Sequence, residues 1–163
     1  MACSRSLLSR AARLASGSAS ERRAAASIAV LLAVVALGLR TLGMRRARAV
    51  AAGVARALPE IDSSLDARRV ARLVDAVADA FTDHTFAEIR CLARSLTLLA
   101  LIQRRHQSAE LRLGVRKGAG NLDAHAWVVL DGEVLNDEPT VDERYVPLEL
   151  SVSARERHSE PLA

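Results

Sequence analysis

Cys91, His125 and Asp137 occur in that order within two distinctive stretches, RCLARSL (Arg90–Leu96) and DAHAWVVLDGEVLND (Asp123–Asp137). A thiol, an imidazole and a carboxylate that meet in space form a nucleophile, its base and the group that orients the base. Cys91 would attack a peptide carbonyl, and His125 would take the thiol proton and return it to the leaving amine. Asp137 would hold the imidazole tautomer, while the Cys91 backbone N–H and one further donor would bind the oxyanion. Nothing else in the 163 residues offers a comparable reactive set. The chain has two cysteines, Cys3 and Cys91, with no C-x-x-C, and its four histidines (His84, His106, His125, His158) are scattered. That usage excludes a disulfide framework and zinc-ligand spacing, fits a reducing compartment with one functional thiol, and calls for no metal or other cofactor.

Taken singly, each residue also has a plain structural reading. Cys91 fits a small buried hydrophobe, His125 a half-buried strand histidine, and Asp137 the close of a hairpin. Trp127 fits core or the wall of a substrate pocket, and is the one candidate substrate-binding residue. His84 precedes Cys91 closely but fits solvent. Gly118-Ala-Gly120 is a turn, because it lacks the Lys-Ser/Thr and the strand–helix context of a phosphate loop. What singles out the triad is its order: a cysteine on a helix, then a histidine and an aspartate on neighbouring strands.

The elements that must position these groups are legible from periodicity. Val70, Leu73, Val74, Val77 and Phe81 form one stripe of a helix capped by Ser63 or Ser64. A second helix runs through Cys91 to about Arg105, with Leu92, Leu96, Leu99 and Gln103 on one face and Ser95, Leu98 and Ile102 beside the cysteine. Thr85–Glu88 matches a capping box, placing Cys91 in the second turn. A start near Arg90 would instead put the thiol at the helix N-terminus, where the macrodipole favours thiolate. Leu111, Leu113 and Val115 then alternate with Arg112, Gly114 and Arg116 as a strand. Lys117–Asn121 is a loop, Ala124–Leu130 a second strand, Glu133–Asp137 a third, and Tyr145–Leu150 a fourth.

Strand parity bears on whether His125 can meet Asp137. A two-residue Asp131-Gly132 turn would pair 126 with 137 and send the two side chains to opposite faces. A three-residue loop ending in Gly132 at positive φ pairs 125 with 137 directly. The triad therefore predicts the longer loop, and a two-residue turn would count heavily against Asp137 as the orienting residue.

Upstream, the chain changes character. Residues 1–59 hold ten arginines and one acid, Glu21, for a net +9, whereas residues 60–163 carry a net −5. A basic segment beside an apolar run suggests a membrane surface or an acidic partner, or a solvated arm. Nucleic acid is disfavoured, since the basic part has no aromatics and no reading module. Residues 1–20 read as a flexible basic arm, superficially like an organellar transit peptide, and 21–57 as an apolar helical region. Ala24–Leu39 is sixteen residues without a charge, short of the roughly 20 that a spanning helix wants. A buried or interfacial helix is the favoured reading, beside a short span and a partner-docking helix. Leu58–Ser64 reads as a linker, 58–150 as the catalytic domain and 151–163 as a polar tail.

Arg90-Cys91-Leu92 with Arg94-Ser95-Leu96, the strand Leu113–Arg116, and Ala124-His125-Ala126-Trp127-Val128 before Asp131-Gly132 together resemble the lasso-peptide leader peptidases, small bacterial transglutaminase-like cysteine proteases. The resemblance covers roughly Leu58–Leu150 and, more loosely, the apolar N-terminal helix. It implies an α+β fold, a transglutaminase- or papain-like core in which N-terminal helices precede a small antiparallel sheet, and a catalytic triad at Cys91, His125 and Asp137. It further implies removal of the leader from a ribosomal precursor peptide before an asparagine-synthetase-like cyclase closes the ring. Substrates of that family usually carry threonine two residues before the cut. The long arginine-rich N-terminus departs from the family, and residues 1–57 leave no room for a leader-recognition domain. A separate leader-recognition protein is therefore the expected partner, and the cytoplasm, with or without membrane association through residues 22–48, the expected location. The competing readings are another transglutaminase-like peptidase or acyltransferase, and a non-catalytic membrane-associated scaffold.

Overall fold

The computed structural model describes residues 18–80, 90–117 and 122–148. Helices α1 (Ala19–Thr41), α2 (Met44–Ala57), α3 (Ala67–Ala80) and α4 (Arg90–Arg104) precede strands β1 (Ala109–Lys117), β2 (Leu122–Leu130) and β3 (Glu133–Val134), the short helix α5 (Val141–Arg144) and strand β4 (Val146–Pro147). The strands form one antiparallel sheet in the order β3-β2-β1-β4. This is the α+β arrangement expected, helices followed by a small antiparallel sheet.

Glu21, the lone acid of the N-terminal third, has two tasks. With Ser18 it closes a capping box that starts α1, satisfying two backbone donors that the first turn leaves free. Its other oxygen takes Arg69 of α3 at 2.5 Å. The helix thus begins inside the segment expected as an arm; residues 1–17, with Cys3, lie outside the described residues, as do residues 151–163. Ala24, Ser27, Ile28, Leu31, Leu32, Val35 and Gly38 form the buried face of α1, the three-and-four spacing of a packed helix. α2 turns an alanine stripe inward, Ala47, Ala51 and Ala55. These small side chains let it approach α1 so closely that a Cβ at Gly38 would sit 3.3 Å from that of Ala47.

Leu58–Ser64 is held more firmly than a linker. Arg104 donates to the carbonyls of Ala55, Leu58 and Pro59, and Arg105 to those of Ile61, Asp62 and Leu65. Two guanidinium groups from the end of α4 thereby satisfy the backbone of a segment that has no ladder of its own. The cap of α3 is Asp66, whose carboxylate accepts from the Arg69 N–H at 2.6 Å, rather than Ser63 or Ser64. The expected stripe is inward, with Val70, Val74 and Val77 buried beside Ala71; Phe81 lies outside the described residues.

α4 is central, packing on α1, α2, α3 and the sheet. Ser95 through Ile102 are all buried, so the two-faced reading was too narrow: neighbours surround the helix. One core cluster runs from Ala24 through α4 to Ala126, Val128 and Leu130 on the helix-facing side of β2. The opposite side carries a smaller cluster of Trp127, Val129, Val141 and Tyr145.

Candidate active site

Alternation along β2 puts His125 on the same side of the sheet as Trp127 and Val129, opposite the face of Ala126 and Val128 that joins the main core. The ring packs against both aromatics, 5.0 Å from Tyr145 and 6.1 Å from Trp127 by ring centroids, and those two rings lie 6.3 Å from each other. Tyr145 is fixed in turn by its hydroxyl, which donates to Asp123 at 3.2 Å, and by Arg116, 4.8 Å over its ring. Gly114, opposite His125 in the register, is required by this stack: a Cβ there would meet Trp127 and Tyr145 at 2.8 Å. Trp127 is wholly buried. It backs the imidazole from inside the sheet's second cluster, the core position that is one of its two readings from sequence.

Asp137 reaches His125 by a route that parity did not foresee. Leu130 pairs with Glu133 and Val129 with Val134 across a two-residue turn, in which Asp131 and Gly132 have φ of 50° and 84°. That is the type I′ geometry to which Asp-Gly is suited, not the three-residue loop. The two side chains nevertheless meet, with His125 Nε2 2.5 Å from Asp137 Oδ2. The ladder stops too early for parity to apply. β3 ends at Val134, a last backbone bond joins Leu135 N–H to Val128 C=O, and the Val128 N–H then goes to the side-chain oxygen of Asn136 at 2.8 Å. Once a side chain replaces the strand, the backbone of 136–137 is free to bend and deliver the carboxylate to the histidine's face. The other oxygen of Asp137 accepts the Glu138 N–H at 2.8 Å and lies 3.4 Å from Arg144.

With Nε2 committed to Asp137, Nδ1 is the nitrogen left to face Cys91, and each group is the chief favourable influence on the other's pKa. Cys91 lies in the first described turn of α4, at the free edge of β2; Thr85–Glu88 and His84 lie outside the described residues. Burial pushes the thiol pKa up. The hydrogen bond and charge of His125, with the N–H groups of Ala126 and Leu92, outweigh that and hold it below the ordinary thiol value. His125 is raised to about 8, by its bond to Cys91 first and, against burial, by Asp137. The two shifts agree in sense: both favour a thiolate beside an imidazolium at neutral pH.

Beside Cys91, Arg94 lies 3.3 Å from Asp75 and 2.8 Å from Asp79, and Arg90 is 3.6 Å from Asp79, clamping α4 to α3. Ser95, Asn136, Tyr145, Asp123 and Arg144 were not singled out from sequence as parts of the site. Asn136 carried one available signal, its place next to Asp137. No group of three or more His, Cys, Asp or Glu side chains suited to a metal ion occurs among the described residues.

A family model described as the transglutaminase-like superfamily matches residues 29–150. No curated protein and no solved structure matches the chain.

Proposed function

The chain belongs to the transglutaminase-like superfamily, and we propose that within it the protein is a cysteine peptidase that removes the leader from a lasso-peptide precursor. One observation carries the chemistry: the imidazole of His125, held through Nε2 by Asp137, sits beside the Cys91 thiol and favours its ionised form. In the proposed cycle the Cys91 thiolate forms a C–S bond to the scissile carbonyl, whose electrons move to oxygen. Collapse breaks the C–N bond, and the leaving amine takes the proton of the His125 imidazolium. His125 then removes a proton from water, which attacks the thioester, and Cys91 leaves as thiolate. Asp137 fixes the ring so that one nitrogen serves both transfers.

The choice of substrate rests on the RCLARSL and Ala124–Val128 stretches and their resemblance to leader peptidases. The partners follow from it: a precursor peptide, a separate leader-recognition protein and an asparagine-synthetase-like cyclase. The test is mass spectrometry of such a precursor after incubation with this protein and the recognition protein. The proposal predicts one cut, two residues after a threonine, leaving a free carboxylate on the leader. Transfer of the leader to an added amine instead would identify an acyltransferase. An uncut precursor, with the recognition protein shown to bind it, would reject the substrate.

A further inference from the structure

Three buried or half-buried hydrogen bonds tie together the neighbours of all three triad residues. The Ser95 hydroxyl donates to the Ala126 carbonyl at 2.8 Å, the Asn136 amide nitrogen donates to Ser95 Oγ at 2.9 Å, and the Val128 N–H donates to the Asn136 amide oxygen at 2.8 Å. Ser95 is one helical turn beyond Cys91 and so shares its face of α4. Ala126 adjoins His125, and Asn136 adjoins Asp137. The directions are forced. A backbone N–H can only donate, so the amide oxygen of Asn136 faces Val128 and its nitrogen faces Ser95. Ser95 must then accept from Asn136 and give its own proton to Ala126. Ala126 thus gives its C=O to Ser95 of α4, and its N–H is one of the groups that lower the Cys91 pKa.

We propose that Ser95 and Asn136 are positioning residues, a clasp that sets the Cys91 helix against the edge of β2 and releases Asp137 from the sheet, so fixing the thiol, imidazole and carboxylate in register. Ser95 is wholly buried, and a hydroxyl there without partners would oppose folding. Its two partners are the edge of the histidine strand and the residue before the aspartate. Without Asn136 the Val128 N–H would lose its partner, and the strand would be free to pair on past Leu135 as parity dictates. The inference deepens the peptidase reading and rests on it.

The test reads Cys91 without any substrate. The protein and its variants Ser95→Ala, Asn136→Ala and Thr97→Val are alkylated with iodoacetamide across pH, and modification is followed on the Cys91-containing peptide by mass spectrometry, which separates it from Cys3. Thr97 is the control, a wholly buried hydroxyl on the same helix whose bond goes only to Ala93 of its own turn. The unaltered protein and Thr97→Val should react through a thiol of depressed pKa. Ser95→Ala and Asn136→Ala should shift the profile alkaline by about one unit, an about tenfold smaller thiolate fraction at any pH on the acid side of both profiles. Equal profiles in all four proteins, or the same shift in Thr97→Val as in the clasp variants, would overturn the clasp. An ordinary thiol in the unaltered protein would overturn both the thiolate and the clasp. A low, clasp-dependent pKa in a protein that leaves the precursor uncut would reject the substrate and support the clasp.

Discussion

Asp137 divides its two oxygens, one to the His125 ring and one to the Glu138 N–H with Arg144 nearby. The carboxylate is therefore held by the backbone on its far side, and the imidazole follows it. Asp137→Asn keeps the shape but offers the ring an amide that can present a donor where an acceptor is needed. Activity should fall by about 10²- to 10⁴-fold, and the His125 pKa, followed by NMR, should drop from its raised value. The pH dependence follows from the same pair. Acylation needs thiolate and imidazolium together, so activity should rise on an acid limb below the ordinary thiol range. It should fall on an alkaline limb near pH 8, where His125 loses its proton. A profile still rising past pH 9 would mean that the imidazole works from its neutral form.

The elements show which parts of the site could be read from sequence and which could not. The α3 stripe, the Leu111–Val115 alternation and the Cys–His–Asp order were legible, because periodicity records which side of an element faces the core. The meeting of His125 with Asp137 was not, because parity assumes a ladder that continues. The ladder ends where the Asn136 side chain takes over a backbone acceptor's role, and no periodicity registers such a substitution. The same blindness hid Ser95, which looked like one more residue beside the cysteine. It also hid the two arginines that hold residues 58–65, since an Arg-Arg pair at a helix end reads as solvated charge. The α3–α4 clamp carries its own prediction. Burial raises Asp75 to about 6, against the charge of Arg94 and with that of Asp79 and Asp137. A carboxyl whose folded pKa exceeds its unfolded value favours the fold below the unfolded pKa, and that advantage is lost as pH rises through the folded one. Asp75→Asn removes this dependence. Its Tm should gain on that of the unaltered protein between about pH 4 and 6, then keep a constant offset; a constant offset throughout would show that Asp75 ionises normally.

At the scale of the molecule, α4, which carries Cys91, is enclosed by the helices before it and the sheet after it. α1 is long and apolar enough to cross a membrane, yet a buried stripe of it joins the core that surrounds α4. Val30 and Leu37 stay exposed on its outer side, the face available to lipid. Leu31 is fully buried, so Leu31→Ala should cost about 2–5 kcal/mol in chemical denaturation, whether or not the helix also meets lipid. A cost near zero would mean that α1 is an appendage. The central claim is that this whole arrangement exists to acylate Cys91, and an acid-quenched intact-mass measurement tests it most directly. The protein would be mixed at pH 7 with a short peptide thioester bearing threonine next to its C-terminal residue. One acyl adduct should form, map to the Cys91 peptide, and be absent from Cys91→Ala and His125→Ala. No adduct, or one that persists in either variant, would contradict the account.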